Sequence, residues 1–152
     1  MNIRFATIRD KKAVFSLLDE LIDEVNRKSG RPPKFTEGQE KRSRIYKELL
    51  NNPAVKIFIA EEGSQIIGVA DLFIVPIMRR GYYQGHIEDL VVREKERGKG
   101  IGTALINAVK DYCKKKGIKV IKLTSGLELT KAHKFYIKNG GIFTEKLFRF
   151  NL

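Results

Sequence analysis

The residue pattern predicts an α/β fold built on a mixed sheet, and three observations carry that expectation. Residues 55–61 and 65–75 are β-rich runs separated by Glu62, Gly63 and Ser64, the spacing of a hairpin with a short loop. Residues 87–124 read as strand, Gly-rich turn, helix and strand, a crossover that implies parallel pairing of the strands it joins. Apolar residues of helical period precede the hairpin and supply helices to cover the sheet.

In chain order, residues 3–8 alternate apolar and polar positions and predict a first strand, after which Asp10 offers a helix cap. Val14, Leu17, Leu18, Leu21, Ile22 and Val25 follow helical spacing, so a helix with one buried face comes next and should end before Gly30. Pro32 and Pro33 mark residues 31–38 as a loop, and residues 39–51 form a second helix burying Ile45, Leu49 and Leu50. After the hairpin, residues 76–81 connect to a strand over residues 82–92, expected to pair antiparallel with its predecessor. Ile101, Leu105, Val109 and Tyr112 set the period of a long helix. Residues 120–124 then make a strand, and residues 129–139 a short helix stopped by Gly140 and Gly141. Residues 142–152 are expected to supply one final strand or a broken pair.

The length suits a single domain over residues 1–152 that buries roughly two-thirds of its unfolded surface. No apolar run reaches the length of a bilayer span, and the amino terminus lacks the apolar core of a secretory signal, so the chain reads as cytoplasmic. Cys113 is the one cysteine; with two histidines beside it, the usual ligands of a metal centre are too few, and no metal is expected. Its place on the apolar face of the long helix predicts packing. A total of 30 Lys and Arg against 18 Asp and Glu leaves a net charge of +12, which favours polyanionic partners: nucleic acid, a membrane surface or a phosphorylated cofactor.

Gly98, Gly100 and Gly102 sit where strand becomes helix. Glycine lets successive amides turn inward, and a helix start supplies unpaired N–H groups and a positive dipole end, so this stretch suits a pyrophosphate as well as a plain turn. Arg97 and Lys99 tilt it towards an anion.

RGKGIG at residues 97–102 matches the Q/R-x-x-G-x-G/A signature of the GNAT superfamily of N-acetyltransferases. It follows the strand IEDLVV and precedes AHKFYIKNGG at residues 132–141, which resembles that family's FYxxxGF segment. The order of elements is also similar. The resemblance implies a GNAT-like mixed sheet of about six to seven strands, antiparallel in its N-terminal part, with about four helices on both faces and a central parallel pair splayed around acetyl-coenzyme A. Acetyl would pass directly from that co-substrate to a primary amine of a small molecule or peptide. The main chain of Leu90, Val91 and Val92 would pair with the pantetheine arm, and the amides of Arg97, Gly98, Lys99, Gly100, Ile101, Gly102 and Thr103 would hold the pyrophosphate.

An amine of pKa near 10.4 is free base in only about one molecule in two thousand at pH 7, a handicap of roughly 4.6 kcal/mol that a positioned base recovers in part. Glu88 and Asp89 are adjacent on a strand and should point to opposite faces. The resemblance assigns the base to Glu88, with Asp89 and His86 as competitors, and the acid that protonates the leaving thiolate to Tyr136. Main-chain N–H groups near Leu90 would steady the reacting oxygen.

Leu129 departs from the Asn or Arg common in that family, and Ile142 replaces the usual Phe after Gly141. His133 is expected to be a surface or structural residue. Residues 26–38 and 78–85 should carry acceptor specificity, since loops vary on a fixed scaffold. A homodimer is common in the family, although no apolar patch in the sequence forces one. Two other readings stand beside the enzyme: a basic nucleic-acid-binding module, suggested by the charge and by the aromatic residues among cations at residues 79–83, and a non-catalytic acetyl-coenzyme A sensor.

Overall fold

Alternation along the central strands sorts the core onto two faces, and helices cover both. The computed structural model describes residues 1–29 and 36–150. Its elements are β1 (Asn2–Phe5), α1 (Lys11–Ser29), α2 (Gln39–Asn51), β2 (Val55–Glu62), β3 (Gln65–Ile77), β4 (Tyr82–Ile87), β5 (Leu90–Val92), α3 (Ile101–Lys115), β6 (Ile121–Leu123) and α4 (Thr130–Lys138). The 6-stranded sheet runs β1-β2-β3-β4-β6, with β5 also on β3. All pairs are antiparallel except β4 with β6, so the sheet is mixed, as expected.

On β2, Ile57 and Ile59 turn to α1 and α2, where they meet Val14, Leu17 and Tyr46. Phe58 and Ala60 turn the other way, to Leu105, Ile106 and Val109 of α3. A fully buried Leu such as Leu17 or Leu105 contributes about 2 kcal/mol through its apolar surface. Cys113 is buried on α3, in the core. Gly68 lets α3 lie close to β3: a Cβ there would stand 3.0 Å from Leu105 Cδ1.

Four expectations change, the first on α2, where Tyr46 is the buried residue and Ile45, expected to be buried, is exposed. The predicted strand over residues 82–92 is split into β4 and β5 by a break at Glu88 and Asp89. The strand expected over residues 142–152 is absent among the described residues, and 151–152 lie outside them. Its apolar residues come as Ile142–Phe143 and Leu147–Phe148, which spoils the period of two, so neither face is apolar throughout; these four and Phe150 are exposed. Lys122 forms an ion pair with Glu145 of this segment. Finally, β1 ends at Phe5, and residues 8–10 form a 3₁₀ turn. Asp10 stands directly before α1, but its carboxylate turns back to accept from Thr7 N (2.7 Å), Thr7 Oγ1 (2.9 Å) and both terminal nitrogens of Arg4 (2.9 Å each). Arg4 also donates to Glu61 on β2, and Tyr46 Oη donates to Thr7 O at 2.9 Å. One guanidinium therefore ties β1, β2 and the start of α1.

Of the loop predicted over residues 31–38, positions 31–35 lie outside the described residues; 36–38 carry no regular structure. Among the described residues no helix is long and apolar enough to cross a membrane.

Arg4→Ala should lower stability by about 2 kcal/mol in urea denaturation, because it strips the Asp10 carboxylate, whose side chain is 8% exposed, of its cation. Hydrogen bonds from Arg4, joined by those from Thr7, hold the Asp10 carboxyl down at about 2 against an ordinary value of 3.8. Its stabilisation is thus complete above pH 4 or so and lost as pH falls through about 2. The gap between parent and variant should close over that window.

Candidate active site

On β3, Phe73 pairs with His86 and Ala70 pairs with Leu90. Three steps along β3, from 70 to 73, therefore oppose four along its partner, from 86 to 90, and the surplus residue makes a β-bulge at Glu88 and Asp89. Parallel pairing with β6 ends at the same level, where Ile87 meets Leu123. Beyond it, β5 pairs only with β3.

Asp71 N donates to Asp89 O (3.1 Å) and Arg93 N to Ile67 O (2.9 Å), so Val91, midway between, also faces β3 by the alternation of an antiparallel ladder. Leu90 and Val92 consequently turn their main-chain groups to the open edge left by β6. Arg97 Nε already donates to Val92 O at 2.9 Å.

After β5 the chain makes a 3₁₀ turn, Glu94–Glu96, and enters α3 through Gly98 and Gly100 at φ 81° and 83°. Side chains rarely adopt that left-handed backbone, which explains glycine at both positions. Among the described residues no group accepts from the amides of residues 98–103, and the first bond of the helix runs from Ala104 N to Gly100 O (3.0 Å). Adjacent unpaired N–H groups at a helix start form an anion seat. The two cations beside it are bound to carboxylates: Arg97 Nη2 to Glu24 Oε2 on α1 (2.7 Å) and Lys99 Nζ to Glu96 Oε2 (2.6 Å).

The neighbouring carboxyl groups take different environments. Glu88 is exposed, its side chain at 62%, and Oε2 lies 3.0 Å from His86 Nε2. Asp89 is half-buried, and burial, reinforced by the Glu88 charge, pushes its carboxyl above the usual range. Tyr136 on α4 is raised above an ordinary phenol by burial and then by the charge of Asp89, so it stays protonated across the neutral range. Its side chain lines a cavity of about 280 Å³ with Ile87, Ile106, Cys113 and Leu123, between α3, β6 and α4. Phe135 packs on the start of α3, where a Cβ at Gly102 would lie 3.0 Å from the ring.

The fold thus brings Glu88, Asp89, Leu90, Val92, the 98–103 loop and Tyr136 to one end of the sheet around the parting of β4–β5 from β6. His133 is structural, with Nε2 2.9 Å from Gly126 O. Leu129 closes the first turn of α4 through its carbonyl, to His133 N (3.1 Å). Of the expected acceptor loops, residues 30–35 lie outside the described residues, while Met78, Tyr82 and Tyr83 are exposed at the end of the β3–β4 hairpin. Among the described residues no cluster of His, Cys, Asp and Glu is arranged to hold a metal.

Sequence reasoning missed Asp71. Its Oδ1 accepts from Glu88 N (2.9 Å) and Asp89 N (3.0 Å), and burial, with the charge of Asp89, pushes its carboxyl up to about 7 against those two hydrogen bonds. The available signal was a lone charge in the apolar run of β3. It also missed Ser125, whose Oγ is buried without a partner among the described residues, just beyond β6.

A family model described as the acetyltransferase (GNAT) family matches residues 17–140. The aminoalkylphosphonate N-acetyltransferase of Salmonella typhimurium is 25% identical over 98% of this chain and 88% of that protein. The uncharacterized N-acetyltransferase YhfO of Bacillus subtilis is 33% identical over 92% of this chain and 89% of its own length. Among solved structures, a putative acetyltransferase from Agrobacterium tumefaciens superposes over 100% of both chains with a TM-score of 0.83 at 22% identity, a likeness of fold.

Gly102→Ala should cost about 1–2 kcal/mol in denaturant unfolding by driving a methyl into the Phe135 ring. A variant as stable as the parent would mean that α4 yields at this contact.

Proposed function

The chain belongs to the acetyltransferase (GNAT) family and is an acyltransferase, and from that premise we propose that it moves an acetyl group from acetyl-coenzyme A to a primary amine of a small molecule or peptide. The observation that supports this best is the run of unpartnered amides at residues 98–103 beside the open edge of β5. A pyrophosphate needs the first and an extended amide-bearing arm needs the second. The residues present therefore fit the co-substrate: the amides of Gly98, Lys99, Gly100, Ile101, Gly102 and Thr103 hold its phosphates, and Leu90 and Val92 offer main-chain groups to its arm. Arg97 shapes this seat from below through Val92 O and Glu24, and adds positive charge. When bound, acetyl-coenzyme A supplies an acetyl thioester.

The chain's own groups manage the protons. An acceptor amine arrives as an ammonium, which the carboxylates at the bulge attract. Glu88, exposed and paired with His86, takes its proton directly or through water. Tyr136 Oη, kept neutral by burial, donates to the departing sulfur, whose conjugate thiol has a pKa near 8.5. The Leu90 N–H, turned to the open edge, is placed to steady negative charge on the carbonyl oxygen. The Salmonella relative is named for aminoalkylphosphonates, so small amines carrying an anionic group lead the acceptor panel.

Thiol release measured across a panel of aminoalkylphosphonates, amino sugars, polyamines and peptides should find an amine that depends on acetyl-coenzyme A. Release with none of them, or failure to bind the co-substrate by calorimetry, would sink the reading. Tyr136→Phe should lower kcat by about 10–100-fold while acetyl-coenzyme A affinity changes less than about twofold, because its proton is needed only as the thiolate leaves. Glu88→Gln should lower kcat by about tenfold or more, with the loss shrinking as rising pH deprotonates the amine in solution.

A further inference from the structure

Asp71 sits on β3 between Ala70, which pairs with β5, and Phe73, which pairs with β4. It thus lies opposite the surplus residue. The bulge turns two successive N–H groups, those of Glu88 and Asp89, towards β3, and a single carboxylate oxygen accepts both at 2.9 and 3.0 Å. Asp71 N returns a bond to Asp89 O at 3.1 Å, so main chain and side chain of one residue grip the same dipeptide. Without the side-chain acceptor, the part-buried Asp89 N–H and the more exposed Glu88 N–H would both lose their partner, and the bulge would lose what holds its shape.

We propose that Asp71 is a positioning residue for acetyl transfer: its carboxylate clamps the Glu88–Asp89 bulge and so aims Glu88 at the acceptor side and the Leu90 main chain into the cleft. The proposal rests on the transfer reading above. It adds a residue that touches neither substrate but decides where two reacting groups point.

The clamp has its own proton equilibrium. The groups that bear on Asp71 are the carboxyls of Asp89 and Glu88; Glu88 in turn meets His86, the Asp89 charge reaches Tyr136, and among the described residues no Lys or Arg pairs with Asp71. With burial holding its carboxyl at about 7, the clamp is half ionised near neutrality. The ionised oxygen accepts more strongly than the neutral acid, so the grip tightens as pH rises through about 7. Stability moves the opposite way. A folded value raised from 3.8 means that the native state holds a proton the unfolded chain has released, so this residue's contribution declines as pH rises from about 4 to about 7.

Asp71→Asn keeps an acceptor oxygen and removes the charge; Asp71→Ala removes both. In the parent, the amide ¹H and ¹⁵N resonances of Glu88 and Asp89 should titrate with a midpoint of about pH 7, and in Asp71→Asn that inflection should vanish. Asp71→Ala should lower kcat by about tenfold or more while acetyl-coenzyme A affinity stays within about threefold, and Asp71→Asn should keep kcat within about threefold of the parent and lose the inflection near pH 7 in its rate profile. The stability of Asp71→Asn relative to the parent should grow between pH 4 and 7. A folded Asp71→Ala variant with parental kcat, or amides that titrate identically in Asp71→Asn, would overturn the proposal. Where Asp71→Ala does not fold, the Asp71→Asn comparison decides alone. If the parent transfers acetyl to no amine, the transfer reading falls, while the amide titration still decides whether the clamp exists.

Discussion

One surplus residue opposite Asp71 and Leu72 is the constraint on which the site depends. Because β3 runs through and pairs with both β4 and β5, the chain crossing it can be kinked without breaking the sheet. The kink coincides with the end of the parallel pairing at Ile87 and Leu123, so the strand after it keeps one partner and loses the other. An edge strand usually invites unwanted pairing. Here the spare donors and acceptors of Leu90 and Val92 face the gap left where β6 ends its pairing.

The second half of the site follows from how α3 begins. Two left-handed glycines let the chain turn sharply from β5 into the helix, and among the described residues no group accepts from the amides of residues 98–103. The cations of the same loop are bound to Glu24 and Glu96, so the anion seat is made principally of backbone, and its direction is set by α1 through the Arg97–Glu24 pair. Glu24 shows the strength of that tie. Burial pushes its carboxyl up, yet hydrogen bonds from Lys28 and Arg97 hold it below the usual range. Since Arg97 also binds Val92 O, one side chain joins the open strand edge to the glycine turn.

A chain of net charge +12 nonetheless gathers three acidic residues at the bulge. Asp71, Glu88 and Asp89 crowd one bulge, and burial with mutual repulsion raises two of them, while Glu88 escapes to solvent beside His86. Burial, and then the charge of Asp89, raises Tyr136. Separation of proton affinities among neighbouring groups is what acid–base chemistry at a fixed pH requires. Overall basicity says little about this arrangement, because a summed charge does not record which residues share a cleft.

Much of the architecture is legible along the chain. The period of α1, the bounds of α2, the hairpin of β2 and β3, the helix α3 and the glycine turn before it depend on neighbours within a few residues, and local sequence carries those preferences. The motif at residues 97–102 falls where the chain enters α3, and the one at residues 132–141 begins on α4, which carries Tyr136. The break in the strand over residues 82–92 was not legible, because IEDLVV by itself has strand character throughout and only its register against β3 exposes the extra residue. Nor could the terminal segment be read, since its apolar residues suggest strand while no edge among the described residues takes it. By itself, then, the sequence determined most of the helices and strands, their order and the glycine turn before α3. Only tertiary structure decided that Asp71, some seventeen residues from Glu88 in the chain, grips its amide, and that Glu88 and Asp89 part to opposite environments. Register and burial are properties of paired strands, and no single strand contains them.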